Sequence, residues 1–86
     1  SAGNAYLEAV PLDGATRDVW RGSPEDRSFA AFHLDGDGRV LAATGVNAMR
    51  EIRAAQTMIR ADVPLVAAAL ADPASNLQRL VAGLRG

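Results

Sequence analysis

The sequence predicts an α+β fold, an antiparallel sheet with helices packed on one of its faces, and three observations carry that reading. Ser28 to Leu34 is largely apolar on both faces, with Phe29, Ala31 and His33 alternating against Ala30, Phe32 and Leu34, as in a central strand covered on two sides. Asp35-Gly36-Asp37-Gly38 follows at once, a glycine–aspartate loop that turns one strand back along its neighbour. Beyond Val46 the apolar period lengthens from two to about 3.6 residues, which places Ile52, Ala55, Met58 and Ile59 on one helical stripe. The whole reads as a meander-like sheet of about four strands followed by helices, in the order ββββααα.

Tyr6 to Val10 is a short first strand ended by Pro11, which cannot continue a ladder. Asp13-Gly14 is a turn pair, and Thr16 to Arg21 is a second strand with Val19 and Arg21 on one face, Asp18 and Trp20 on the other. Gly22 to Asp26 turns the chain into the central strand, and Arg39 to Val46 returns from the hairpin as its partner. Asn47 has the chemistry of an N-cap for a helix from about Ala48 to Ala61, which Asp62-Val63-Pro64 breaks. A short helix over about Leu65 to Leu70 stops at Asp72-Pro73. Ser75 or Asn76 then caps a last helix whose apolar face is Leu77, Leu80, Val81 and Leu84. Residues 1–5 read as a cloning remnant or an unstructured start, and residues 6–86 as one domain.

With 86 residues the chain makes one domain with a thin core. It is 49% hydrophobic but only 5% aromatic, so alanine, valine and leucine must supply most of the buried area. All nine basic residues are arginine, and ten acids leave a net charge of −1, which is no electrostatic footprint for nucleic acid. The absence of cysteine removes disulfides, thiolate zinc sites and iron–sulfur ligation. No run of apolar residues is long enough for a membrane span, and a cytoplasmic setting is expected.

Candidate chemistries are few. Asp35-Gly36-Asp37-Gly38 resembles the start of a calcium loop, but the twelfth position is Val46 where a bidentate glutamate is required, so it reads as a hairpin. The single histidine, His33, has no serine or cysteine nucleophile in a recognisable motif and reads as a half-buried strand residue. Trp20 reads as a packing residue whose indole N–H finds a partner. No catalytic, cofactor-binding or metal-binding set emerges, and no G-x-G-x-x-G fingerprint is present. Arg50 and Arg53, three apart and so neighbours on a helix, form either a solvated face or a patch that pairs with carboxylates.

The run Val19-Trp20-Arg21-Gly22-Ser23-Pro24-Glu25, then Phe29-x-x-Phe32-x-Leu34, Gly38-Arg39-Val40-Leu41-Ala42, Val46-Asn47 and Arg50-Glu51-Ile52-x-x-Ala55-x-x-Met58-Ile59, resembles the C-terminal domain of FAD-dependent ferredoxin reductases over about residues 6 to 82. Those flavoproteins use NAD(P)H to reduce the ferredoxins of ring-hydroxylating dioxygenases and bacterial cytochromes P450. The resemblance implies an accessory domain that packs beside the flavin and helps seat the ferredoxin, with Asn47, Arg50 and Arg53 as the docking candidates. It also implies FAD and NAD(P)H for the full-length enzyme, none of them bound by this fragment, and upstream FAD and NAD domains as partners. Two departures stand out. The family commonly has arginine–proline where this chain has Ala48-Met49, and nothing in Ser1 to Leu7 matches the flavin-facing tryptophan–serine–aspartate strand. The fragment is therefore expected to be catalytically silent and to self-associate through an edge near Tyr6–Val10 or Thr16–Arg21. A free-standing interaction or dimerisation module is the alternative, and a small independent enzyme a more distant third.

Overall fold

A computed structural model describes residues 6–9 and 14–85. The elements are β1 (Tyr6–Ala9), β2 (Arg17–Ser23), a 3₁₀ turn (Pro24–Asp26), β3 (Ser28–Leu34), β4 (Val40–Val46), α1 (Met49–Ala61), α2 (Ala67–Ala71) and α3 (Leu77–Arg85). The fold class is thus the expected α+β, antiparallel strands followed by helices. Of the expected first strand and turn, Val10 to Asp13 lie outside the described residues.

Strands β2, β3 and β4 form a meander, joined by the 3₁₀ turn and by the hairpin at Asp35. The order across the sheet is β1-β4-β3-β2, so β1 pairs with β4 and not with its sequence neighbour β2. This corrects the meander reading. The reason lies in α1, which packs over β4 with β1 and β3 on either side of it. Placing β1 on the free edge of β4 puts sheet on both sides of that helix. The two strands expected at the edges, β1 and β2, are indeed the outermost ones.

One face of the sheet carries the core. Val19, Ala30, Phe32, Leu34, Val40 and Ala43 meet Ile52, Ala55 and Met58 of α1, Leu70 of α2, and Leu77 and Val81 of α3. Phe32, Leu34, Met58 and Leu70 are the largest fully buried side chains. The opposite face carries Asp18 and Trp20 of β2 beside Phe29, Ala31 and His33 of β3. Phe29 and His33 are only half-buried, so the two-sided cover expected for β3 is complete on the helix side alone. Helix α1 approaches β4 closely at Gly45, where an added Cβ would lie 3.1 Å from Ala48 Cβ and 3.3 Å from Ile52 Cδ1.

The start of α1 also differs from expectation. Asn47 is not the cap: Ala48 holds that position without a side-chain hydrogen bond, and its carbonyl accepts from Ile52 N–H at 3.0 Å. Asn47 sits in the left-handed region with φ 52°. Its Nδ2 donates to the Arg27 carbonyl at 2.9 Å, and its own carbonyl accepts from Ser28 Oγ at 3.0 Å. The amide is spent on the β2–β3 turn, where Arg27 is also left-handed at φ 58°, and is not free to cap. Helix α2 starts later than expected because the chain before it runs along the hairpin. Leu65 N–H donates to the Gly38 carbonyl at 2.9 Å, and Arg39 bridges Pro64. For α3 the cap is Asn76, whose Oδ1 accepts from Arg79 N–H at 3.1 Å.

Candidate docking face on the first helix

Arg50 and Arg53 project from the first turns of α1, both exposed. Their three-residue spacing puts them side by side, and like charges so placed repel unless something anionic lies between them. The ion pairs among the described residues belong to Arg21, His33 and Arg39 and leave both of them out. They line an open groove whose other wall is the start of α3, with Asn76 and Gln78, and whose floor includes Leu77 and Val81. Asn47 does not line it. Two of the three docking candidates therefore share a surface, and the third serves the turn behind it.

At the base of the groove lies Arg21, only 9% exposed although it comes from a strand. Its position opposite Ala30 points it to the helix side of the sheet, and its guanidinium is wrapped by the segment between α2 and α3. Nη1 donates to the carbonyl of Asp72 at 2.7 Å, to Ser75 Oγ at 2.9 Å and to the carbonyl of Leu70 at 3.3 Å. Nη2 donates to the carbonyls of Ser75 at 2.7 Å and Pro73 at 3.3 Å. Glu51 of α1 adds a carboxylate oxygen 3.8 Å from Nε. A planar fork of donors is what such a ring of carbonyls requires, and lysine could not supply it. Arg21 therefore holds the start of α3 against α1 and shapes the groove that Arg50 and Arg53 line. Sequence reasoning placed Arg21 on the same face as Val19 but assigned it no role. An arginine in register with core residues was the available signal.

Two further polar clusters lie away from this groove. On the open sheet face, His33 links β2 to β4 through Asp18 Oδ1 at 2.6 Å from Nδ1 and Thr44 Oγ1 at 2.7 Å from Nε2. At the hairpin, Asp35 Oδ1 accepts from the N–H groups of Asp37 and Arg39, each at 2.9 Å. The backbone N–H of Arg39 holds the Asp35 carboxyl below its ordinary value of 3.8; burial opposes the shift, and the N–H of Asp37 and the charge of Arg39 add to it. Among the described residues no group of three or more metal-ligating side chains converges, and no helix is long and apolar enough to cross a membrane.

The described residues thus form a small sheet backed by helices, with a groove lined by Arg50 and Arg53 and shaped by one buried arginine. The chain belongs to the reductase C-terminal family, whose family model matches residues 11–81. It is 41% identical over 73 residues to the ferredoxin–NAD(+) reductase component of an anthranilate 1,2-dioxygenase system from Burkholderia cepacia, covering 84% of this chain and 18% of that protein. Its fold matches the crystal structure of the ferredoxin reductase for the CYP199A2 system from Rhodopseudomonas palustris, with a TM-score of 0.81 at 22% identity, over 91% of this chain and 19% of that one. The chain thus spans less than a fifth of the length of either protein.

Proposed function

We propose that residues 6–86 are the C-terminal interface domain of an FAD-dependent NAD(P)H:ferredoxin reductase, a cytoplasmic electron-transfer flavoprotein. In this reading the FAD and NAD(P)H sites and the redox chemistry belong to the domains that precede it. The module packs beside the flavin and helps seat an acidic ferredoxin. The observation that carries the docking role is the exposed, unneutralised Arg50–Arg53 pair beside a groove, where a partner's carboxylates would relieve the repulsion between the two guanidinium groups. Arg21 contributes indirectly by fixing the α3 wall. Asn47 contributes by fixing the β4–α1 junction from which Arg50 projects.

The test is charge reversal of both residues, Arg50→Glu with Arg53→Glu, in the full-length reductase. Ferredoxin reduction at low salt should slow by about tenfold or more, while reduction of a small neutral acceptor stays unchanged. The difference should shrink as salt rises, because exposed pairs are screened over about 8–10 Å near physiological ionic strength. An unaltered ferredoxin rate at low salt would return both arginines to an ordinary solvated face.

A further inference from the structure

The open face of the sheet holds a relay of three side chains drawn from three strands. Asp18 of β2, His33 of β3 and Thr44 of β4 are joined by hydrogen bonds, with Asp18 Oδ1 at 2.6 Å from His33 Nδ1 and Thr44 Oγ1 at 2.7 Å from Nε2. An ionised carboxylate only accepts, so Nδ1 carries a proton; in the neutral imidazole Nε2 is then the acceptor, and the Thr44 hydroxyl donates to it. A hydroxyl within hydrogen-bond reach of a base, with that base oriented by a third group, is the arrangement that activates a nucleophile. The His33 side chain is only 14% exposed and its ring is held from both sides. An apolar platform adjoins the relay. Ala31 pairs with Trp20 on one side and Thr44 on the other, and Phe29 and His33 are the next residues of β3 on the same face. Ala31 is 4% exposed, so these four side chains close over it, while Trp20 is 50% exposed with its ring centre 5.5 Å from that of Phe29.

We infer that this cluster is an acyl-accepting site, in which the Thr44 hydroxyl takes the acyl group of an activated ester of a flat aromatic alcohol. Thr44 Oγ1 attacks the ester carbonyl carbon while its proton moves to His33 Nε2. The Oγ1–C bond forms, the bond from that carbon to the aryl oxygen breaks, and the aryloxide leaves with the electron pair. His33 returns the proton to the aryloxide, so the products are acyl-Thr44 and the free phenol, with no change of oxidation state. Asp18 touches no reacting atom; it is a positioning residue that keeps the imidazole in the tautomer whose Nε2 accepts. The exposed face of Trp20 carries the aryl group by stacking. A good leaving group is required, because the backbone N–H groups around Thr44 lie in the ladders to β1 and β3 rather than toward a developing oxyanion. The site is on the sheet face opposite α1 and is independent of the docking role of Arg50 and Arg53.

The probe is p-nitrophenyl acetate, mixed with the 86-residue chain at dilute concentration. Release of p-nitrophenolate is followed by absorbance, and the acetylated residue is located by peptide mass spectrometry. The chain has no lysine and no cysteine, so the usual competing nucleophiles are missing. Acetyl should be found on Thr44 and be absent from that peptide in Thr44→Val, while Thr44→Ser, which keeps the hydroxyl, should retain it. His33→Gln should slow the transfer by about a hundredfold, the contribution of a positioned base. Asp18→Asn should slow it by about tenfold or more and remove the downfield Nδ1 proton signal from the NMR spectrum. Trp20→Ala should raise the half-saturating ester concentration several-fold. Acetyl on Tyr6, on the N-terminus or on His33 alone would overturn the proposal. So would a rate of Thr44 acetylation that is unchanged in His33→Gln, or unchanged when the chain is unfolded in urea.

Discussion

At the residue scale, Arg21 is where most is at stake. Its donors reach the carbonyls of Leu70, Asp72 and Ser75 and so tie the end of α2 and the segment before α3 to the sheet. Arg21→Ala removes the fork, its hydrogen bonds and its contact with Glu51, and should cost about 2–4 kcal/mol, read as a shift in the urea midpoint. Arg21→Lys keeps the charge but cannot span the ring, so it should fall between the two. Asp35 offers a different test. Its depressed carboxyl means that its contribution to stability is complete above the ordinary value of 3.8 and is lost as pH falls through the lower folded value. An NMR titration should show Asp35 protonating below a free carboxyl, with amide exchange at Asp37 and Arg39 quickening over the same range. Asp35→Asn should remove that added change and leave only the intrinsic pH dependence of amide exchange.

At the element scale, the contact between α1 and β4 depends on an absent side chain. At Gly45 an added Cβ would meet Ala48 Cβ at 3.1 Å and Ile52 Cδ1 at 3.3 Å, so these neighbours must give by a few tenths of an ångström, and a larger side chain would push the helix further. Gly45→Val should therefore destabilise by about 1–3 kcal/mol. Since α1 carries Arg50 and Arg53, the displacement should also weaken ferredoxin docking in the full-length protein more than it changes reduction of a small acceptor. The hairpin acts on the far end of α1 in the same way. Arg39 Nε donates to the Asp62 carbonyl at 3.1 Å just after the helix stops, and Asp62 takes the left-handed conformation that ends it.

At the scale of the whole molecule, a core whose largest fully buried side chains are Phe32, Leu34, Met58 and Leu70 is thin, and most of the rest of it is alanine and valine. Such a domain has a margin of about 5 kcal/mol or less. The outer strand β1 has only four residues, and the outer edge of β2 offers N–H and C=O groups to a further strand. The excised chain should therefore unfold at low urea and show scattering that rises with concentration. Its purified solution should be colourless, without flavin absorbance and without NADH-dependent dye reduction. Flavin retained in stoichiometric amount through purification would contradict the assignment of the redox sites to the preceding domains.

The sequence by itself determined which segments are strands and which are helices, and which face of each is apolar. The alternation in Ser28–Leu34, the glycine–aspartate hairpin and the stripe of Ile52, Ala55 and Met58 are local patterns with the periods of the structures they form. The pairing of Arg50 with Arg53 was legible for the same reason, since three residues on a helix is a fixed geometry. Only the tertiary structure decided the rest. The carbonyl and hydroxyl partners of Arg21 lie 49 to 54 residues away in the chain, and no periodicity encodes them. The strand that β1 joins was settled by the helix above β4, and the side chain of Asn47 was drawn from the helix it precedes to a carbonyl 20 residues back. Periodicity tells a side chain which side to face. Which partner waits there is decided by how the elements pack.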